Sequence, residues 1–537
     1  MTRTRQHSPL CGWPLLALLL LLGGCWTGRG WIDDPGNFRP ALPAASDTED
    51  FSDAAPYTLK PGPEGGHGLE ALEGLTVEEA VVMALEHNRD LRVARLQPVV
   101  EGAFETIERS RFDPEVYLNL QAGEEQVTQT ARATGEQFDV FGKDASGEAG
   151  IRQRLPTGTE VDVSLGLDRS ISDRTPEQQS ARLGLAVTQP LLRGAGPNVN
   201  LIRVRQAEVD TLASVWELRG FAESLLAQVE IAYWRLVLAR EEIRIFEESL
   251  RLAKSQQAAF EERIAVGALP ENQGAVVRAE VAAREQALIN ARGQLESRRL
   301  TLLRFLGVDR EGRLDLPVLP GSVLEMDPLT MPSAGEAIER ALERRPELRE
   351  AELRFARDEL ETVLTRNGRL PRLDFFVNLG RSGFATTLED SLGNIDGDDY
   401  DATAGVRLST LIGNREARAR DLAARAGKQQ ALEAVLNQAQ LVELEVRLAL
   451  TEVDRTRQQI EASAVTRELR ELTAQAERER FQVGSSTALQ VAQAQRDLLE
   501  SQIVEVEAMV NYRIALIQFY LAEGTLLERR GVGFDFR

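Results

Sequence analysis

The chain has 537 residues and a formal net charge of −21, with 27% charged and only 5% aromatic residues. That acidity argues against nucleic acid as a partner, and abundant Ala, Leu, Glu, Arg and Gln favour helix over sheet. His7, His67 and His87 do not cluster, and there is no metal motif, Gly-rich phosphate loop or Ser/His/Asp signature, so neither a cofactor nor an enzymatic site is expected.

Residues 1–24 read as an export signal. Arg3 and Arg5 give a positive start, and the Leu-rich run Leu15 to Leu22 is too short to span a bilayer, which takes about 20 residues. Leu22-Gly23-Gly24-Cys25 is similar to a bacterial lipobox, which makes Cys25 the candidate lipid-attachment residue; an ordinary signal with an incidental cysteine is the alternative. With residues 1–24 removed, Cys25 would be the only cysteine, unable to form an intramolecular disulfide, and the net charge would be −23. Trp26, where many inner-membrane lipoproteins carry Asp, favours the outer membrane by analogy. Residues 25–70, rich in Pro, Gly, Asp and Ala, read as a flexible tether.

Helical periodicity begins at Thr76, where Thr76 and Glu79 form a capping-box pattern. It continues to about Ser110, with Pro98 as the expected kink or break. After Pro114 the period changes to two. Val116, Leu118 and Leu120 alternate with Tyr117, Asn119 and Gln121, followed by a polar region expected to be loop to about residue 148. Ile151 to Leu155 is a weak strand, and Val161, Val163, Leu165 and Leu167 make another beyond the turn at Pro156-Thr157-Gly158. Leu183, Leu185 and Val187 give a further strand. Such alternation fits a soluble sheet with one wet face and equally an outer-membrane strand with its apolar side to lipid.

Gln189-Pro190-Leu191-Leu192-Arg193-Gly194 closes the strands, and a proline-free stretch then runs from Asn198 to Gly267. Within it Leu218, Ala222, Leu225, Val229, Ala232, Leu236, Ala239, Ile243, Phe246, Leu250, Ala253, Gln257, Phe260 and Ile264 step by four and three without a break. That is a coiled-coil seam, and at about 1.5 Å per residue the helix would be roughly 100 Å long. Val266-Gly267 interrupts it, and a second helix spans about Asn272 to Leu306.

The second half echoes the first. An offset of 257 residues carries Ala80 onto Ala337, Leu91-Arg92 onto Leu348-Arg349, Pro114 onto Pro371, and the strand Val116, Leu118, Leu120 onto Leu373, Phe375, Val377. A short acidic loop, with Asp390, Asp396, Asp398, Asp399 and Asp401, leads to a strand at 403–408 and a second long helix. That helix has a poorer seam kept by Ala462, Val465, Leu469, Leu472 and Ala476. An offset of 217 carries Glu262-Arg263 onto Glu479-Arg480 and Val266-Gly267 onto Val483-Gly484. The expected divisions are therefore the signal 1–24, the tether 25–70, a first helix–strand–helix repeat 71–310, a linker 311–334, a second repeat 335–524 and a tail 525–537. In each repeat, two short helices end to end would match the length of one long helix.

Beyond the signal no segment has 18 consecutive apolar residues, so no transmembrane helix is expected. A β-barrel must close, and four clear strands, or six if 150–168 joins them, fall short of the eight at which single-chain barrels begin. The subunits would then have to share a barrel.

This order of elements, with the Gln189–Gly194 run and the two Val-Gly turns, resembles the TolC family of outer-membrane efflux and secretion channels over roughly 72–523. The resemblance implies a mainly α fold with a membrane β-barrel portion: a long coiled-coil α-barrel plus a trans-subunit β-barrel, from two internal repeats per chain. It implies a homotrimer anchored in outer-membrane lipid that gives passive exit to cargo. The driving machinery would be a periplasmic adaptor and an inner-membrane pump or ATP-driven exporter. The helix tips, with Arg263, Val266, Gly267, Arg480, Val483 and Gly484, would contact the adaptor. Gln490 and Gln493, the candidate periplasmic constriction, stand where some members carry two acidic residues three apart. Four strands per subunit would make a 12-stranded barrel. The hairpin at Pro156–Gly158 is extra to the family pattern: in the wall it would make six strands per subunit, 18 in a trimer and a wider pore, but it is expected to be flattened or on the surface. The competing readings are a periplasmic adaptor, which would have one helical hairpin between β-rich domains, and a structural coiled-coil lipoprotein, which would not need the strands.

Overall fold

A computed structural model describes residues 54–60, 72–174, 176–267, 269–307, 313–322, 324 and 331–536. The export signal, Cys25 and most of the tether lie outside the described residues. Tyr57–Lys60, which was expected within the tether, instead form strand β1, which pairs antiparallel with β10, Gly533–Phe536, in the C-terminal tail. Tyr57 explains this departure: its ring stacks on Phe534 and its hydroxyl donates to the Arg95 carbonyl at 3.0 Å.

Strand β2 (Leu72–Leu75) leads into α1 (Val77–His87), whose start carries the complete Thr76/Glu79 capping box. Helix α2 follows at Arg89–Arg109. The break therefore falls at Asn88, and Pro98 lies inside an unbroken helix. Asn88 causes it: its side-chain oxygen accepts the Leu91 N–H at 2.9 Å while its amide donates to the Phe305 carbonyl at 2.9 Å. Capping of α2 and of a distant helix end thus outweighs the proline, whose missing N–H is tolerated here.

The six long strands are β3 (Glu115–Thr130), β4 (Gln137–Arg154), β5 (Glu160–Ser172), β6 (Gln178–Pro190), β8 (Arg372–Ala385) and β9 (Tyr400–Ser409). They form one antiparallel sheet in that order. The expected loop before residue 148 is strand, and the hairpin around Pro156–Gly158 is hydrogen-bonded between β3 and β6 inside the sheet, not laid on its surface.

Helix α3 (Ile202–Ala265) descends from β6 and turns into α4 (Glu271–Phe305). The short strand β7 (Val318–Pro320) then runs parallel to β2. Helices α5 (Ala334–Arg344) and α6 (Pro346–Gly368) lead to β8, and α7 (Arg415–Gln482) and α8 (Ala488–Glu523) follow β9. The break between α5 and α6 falls at Arg345, 257 residues after Asn88, and the capping box Ser333/Glu336 lies 257 residues after Thr76/Glu79.

Each long helix is flanked by two shorter ones end to end, as the lengths required. Helix α3 lies between α2 and α4 on one side and α6 and α8 on the other, and α7 packs on α6 and α8. All fourteen residues of the α3 seam are buried or half-buried. The α7 seam behaves differently: Val465, Leu469 and Leu472 are exposed, and the buried apolar residues are Val442, Val446, Val453, Ile460 and Ala474. The largest core joins α1, mid-α3, the end of α4 and the end of α8 around Leu85, Tyr233, Leu303 and Leu527. No helix among the described residues is long and apolar enough to cross a membrane.

Candidate functional site

Two regions carry the functional geometry: the sheet and the ends of the long helices. Because strand side chains alternate, the register sorts the sheet into two faces. One transverse row reads Val116, Ile151, Val163, Leu185, Leu379, Ala402, and the next reads Leu118, Ala149, Leu165, Leu183, Arg381, Tyr400. Between these rows, on the opposite side, lie Tyr117, Gly150, Ser164, Gly184, Gly380 and Asp401. That side also carries Arg152 paired with Asp162 at 2.9 Å and Arg182 paired with Asp401 at 2.6 Å.

The apolar side is largely uncovered in the single chain; Val116 is 78% exposed and Leu408 66% exposed. From Leu191, just past the end of β6, to Ala181 it is interrupted only by Gln189, and at about 3.4 Å per residue and about 40° of tilt it spans roughly 25 Å, the height of an outer-membrane apolar band. Further up β3, Glu124, Gln126 and Thr128 replace apolar residues, so the alternation lapses above that band: Phe141 stays on the apolar side, while Val127, Val140 and Phe138 lie on the other.

At the other end, α3 finishes at Val266-Gly267 and α7 at Val483-Gly484. Gly267 and Gly484 have φ of 72° and 80°, so glycine closes both helices for a backbone reason. The two valines point outward, Val266 at 74% and Val483 at 80% exposure. Arg263 does not project freely: its guanidinium lies 5.7 Å over the Phe481 ring. Arg480 pairs with Glu477 at 3.0 Å and remains exposed. Phe260 and Phe481 join Val277 and Ala488 in a small apolar cluster that binds the two tips together, a contact the sequence pattern alone did not single out.

Gln490 is the N3 residue of a capping box: its side-chain oxygen accepts from the Thr487 N–H at 3.0 Å. Gln493 is exposed one turn on. The structure thus separates the two proposed constriction residues by role, one engaged locally and one free.

Midway along the helices, Glu223 of α3 is buried beside Arg219, with Nε–Oε1 at 3.2 Å. Burial pushes its carboxyl up to about 7 despite that arginine. Glu350 is raised to about 6 by burial, with Arg354 opposing and Glu217 adding to the shift. No cluster of potential metal ligands exists among the described residues.

The description "Outer membrane efflux protein" belongs to a family whose model matches residues 80–308 and 337–525, well over half of the chain. The chain belongs to the outer membrane efflux protein family. It is 28% identical over 393 residues to the pyoverdine export outer membrane protein OpmQ of Pseudomonas putida, covering 72% of this chain and 77% of that protein. Its fold matches the outer membrane protein VceC of Vibrio cholerae with a TM-score of 0.63 at 15% identity, over 83% of this chain and 96% of that one. It also matches the CmeC outer membrane channel of Campylobacter jejuni with a TM-score of 0.62 at 16% identity, over 88% and 92%. The protein is thus an outer-membrane efflux channel and not an enzyme, and the resemblance to TolC-like channels holds.

Proposed function

We propose that three copies of the chain assemble into one channel-tunnel, a passive exit for cargo driven by an inner-membrane pump or ATP-driven exporter through a periplasmic adaptor. The observation that carries this is the open amphipathic sheet above an open curtain of helices. One chain leaves β3 and β9 as unpaired edges, which lipid does not tolerate. Because six is even, β9 of one copy meets β3 of the next antiparallel. The helices show the same incompleteness. At one margin α2 exposes Val93, Leu96, Val100, Phe104 and Ile107, and at the other α7 exposes Leu436, Leu444, Leu448, Leu469 and Leu472. Such apolar stripes are what neighbouring copies would cover.

Two repeats, supported by the matching capping boxes and helix breaks, supply this architecture from one chain. At about 1.5 Å per residue, α3 and α7 would carry the tunnel roughly 100 Å into the periplasm. Cys25, by its lipobox-like context, would anchor the chain in outer-membrane lipid.

The tips Val266-Gly267 and Val483-Gly484, flanked by Arg263 and Arg480, are the proposed adaptor contact; Gln493 and Gln490 mark the neighbouring constriction. The test uses the valines, since substituting glycine at positive φ would strain the turn in any case. Val266→Glu with Val483→Glu should leave trimers in the outer membrane and abolish export. Normal export by that variant overturns the adaptor contact.

A further inference from the structure

The hairpin formed by β4 and β5 invites a conclusion about the width of the exit, resting on the trimeric reading above. We propose that both strands are wall strands of an eighteen-stranded barrel shared by three copies, as wide as the helical conduit beneath it, so that bulky hydrated cargo leaves without narrowing at the membrane.

Three independent features carry this. First, the hydrogen-bond ladder is continuous across the hairpin, from Val116↔Ile151 through Ile151↔Val163 to Val163↔Leu185. Second, the hairpin keeps the faces of its neighbours: Ala149, Ile151, Val163 and Leu165 share the apolar side, while Glu148, Asp162 and Ser164 share the polar side. A flap on the protein surface would have no reason to obey a lipid-facing pattern. Third, its turn is seated on the barrel–helix junction. The Gly196 N–H donates to the Thr157 carbonyl at 2.9 Å, and the Thr159 hydroxyl bonds the Gln189 side chain. At Gly158, φ is 88° and a Cβ would stand 2.3 Å from the Gly194 carbonyl oxygen, so only glycine fits. The hairpin is thereby fixed to the same Gln189–Gly196 segment that launches the long helix.

The widths then agree. Each chain offers four helical columns, α2 with α4, α3, α6 with α8, and α7. Twelve columns at 8–10 Å spacing give a circumference of about 100–120 Å. Eighteen strands about 4.8 Å apart and tilted about 40° give roughly 110 Å, whereas twelve give only about 75 Å. After allowance for side chains, the wider barrel leaves a lumen of roughly 20–25 Å, in the range of strand numbers that hold an aqueous channel. Polymer and polypeptide segments fall within this width, and any size selection would lie at the periplasmic end.

Single cysteines placed in β4 and β5 test this in outer-membrane vesicles, with native mass measured on each variant. Ile151→Cys and Leu165→Cys should react with a lipid-phase probe and resist a water-soluble maleimide. Glu148→Cys and Ser164→Cys should do the reverse. Conductance of the same trimers should fall in polyethylene glycols up to about 20 Å across, which enter the lumen. Trimers in which all four cysteines take the water-soluble maleimide, or from which such polymers are excluded after the tips are removed, overturn the wide barrel and leave the trimeric channel standing. Absence of trimers overturns both.

Discussion

Phe260 and Phe481 stack with ring centroids 4.6 Å apart and planes 18° apart, tying the ends of the two long helices together within one subunit. Arg263 closes the arrangement from above Phe481. The tips are therefore presented as a pair, and separating them requires breaking an aromatic contact worth about 0.5–1.5 kcal/mol beyond its burial.

Phe481→Ala should release that clasp without disturbing the sheet. The expected result is a trimer with raised resting conductance in planar bilayers. Phe481→Tyr, which keeps the stack, should conduct as the unsubstituted protein does. Unchanged conductance in Phe481→Ala would show that the clasp does not restrict the conduit at the helix tips.

Register makes the sheet's two sides unequal in what they tolerate. Leu379 lies on the apolar side and Asn378 on the charged side. Leu379→Arg should cost about 2–4 kcal/mol if it lies near the bilayer midplane, seen as loss of folded protein from the outer membrane. Asn378→Arg should accumulate normally and change only ion selectivity. Equal accumulation of both variants would contradict the assignment of faces.

Glu223 gives the helical wall a pH dependence. Its carboxyl is raised to about 7 by burial, with Arg219 and Arg345 opposing and Glu347 adding to the shift. The folded state thus holds a proton that the unfolded state has already lost, so this group's contribution to stability falls as pH rises from about 4.5 to about 7. The full effect is roughly 3 kcal/mol. Glu223→Gln should flatten the pH dependence of the heat-dissociation temperature between pH 5 and pH 8. A slope identical to that of the unsubstituted protein would contradict this.

Asn88 joins two helix ends through one side chain. Asn88→Ala removes the α2 cap and leaves the Phe305 carbonyl without that donor. A loss of about 2–3 kcal/mol is expected, measured as a lower dissociation temperature. Asn88→Asp should recover the cap and not the bond to Phe305.

What the sequence revealed depended on where solvent and lipid impose a pattern. The α3 seam was legible because its four-three spacing faces protein along the whole length, and the Val-Gly turns because glycine closes helices in a known way. The upper parts of β3 and β4 were not legible: Glu124, Gln126 and Thr128 interrupt the alternation, and the apolar Phe141 and Val127, Val140 and Phe138 fall on opposite faces. The break at Asn88 depends on the end of α4, more than 200 residues away in the chain, so local rules pointed to Pro98 instead. On α7 the spacing of Val465, Leu469 and Leu472 points to a packing seam, but within one chain these residues face outward. At the tips, the valines and glycines were visible as motifs, whereas the Phe260–Phe481 contact joins residues over 200 positions apart.

The central claim is that one chain is a third of a channel. Native mass spectrometry of the protein extracted from outer membranes tests it most directly. A single species of three copies is expected; a monomer or dimer as the dominant species overturns the shared channel.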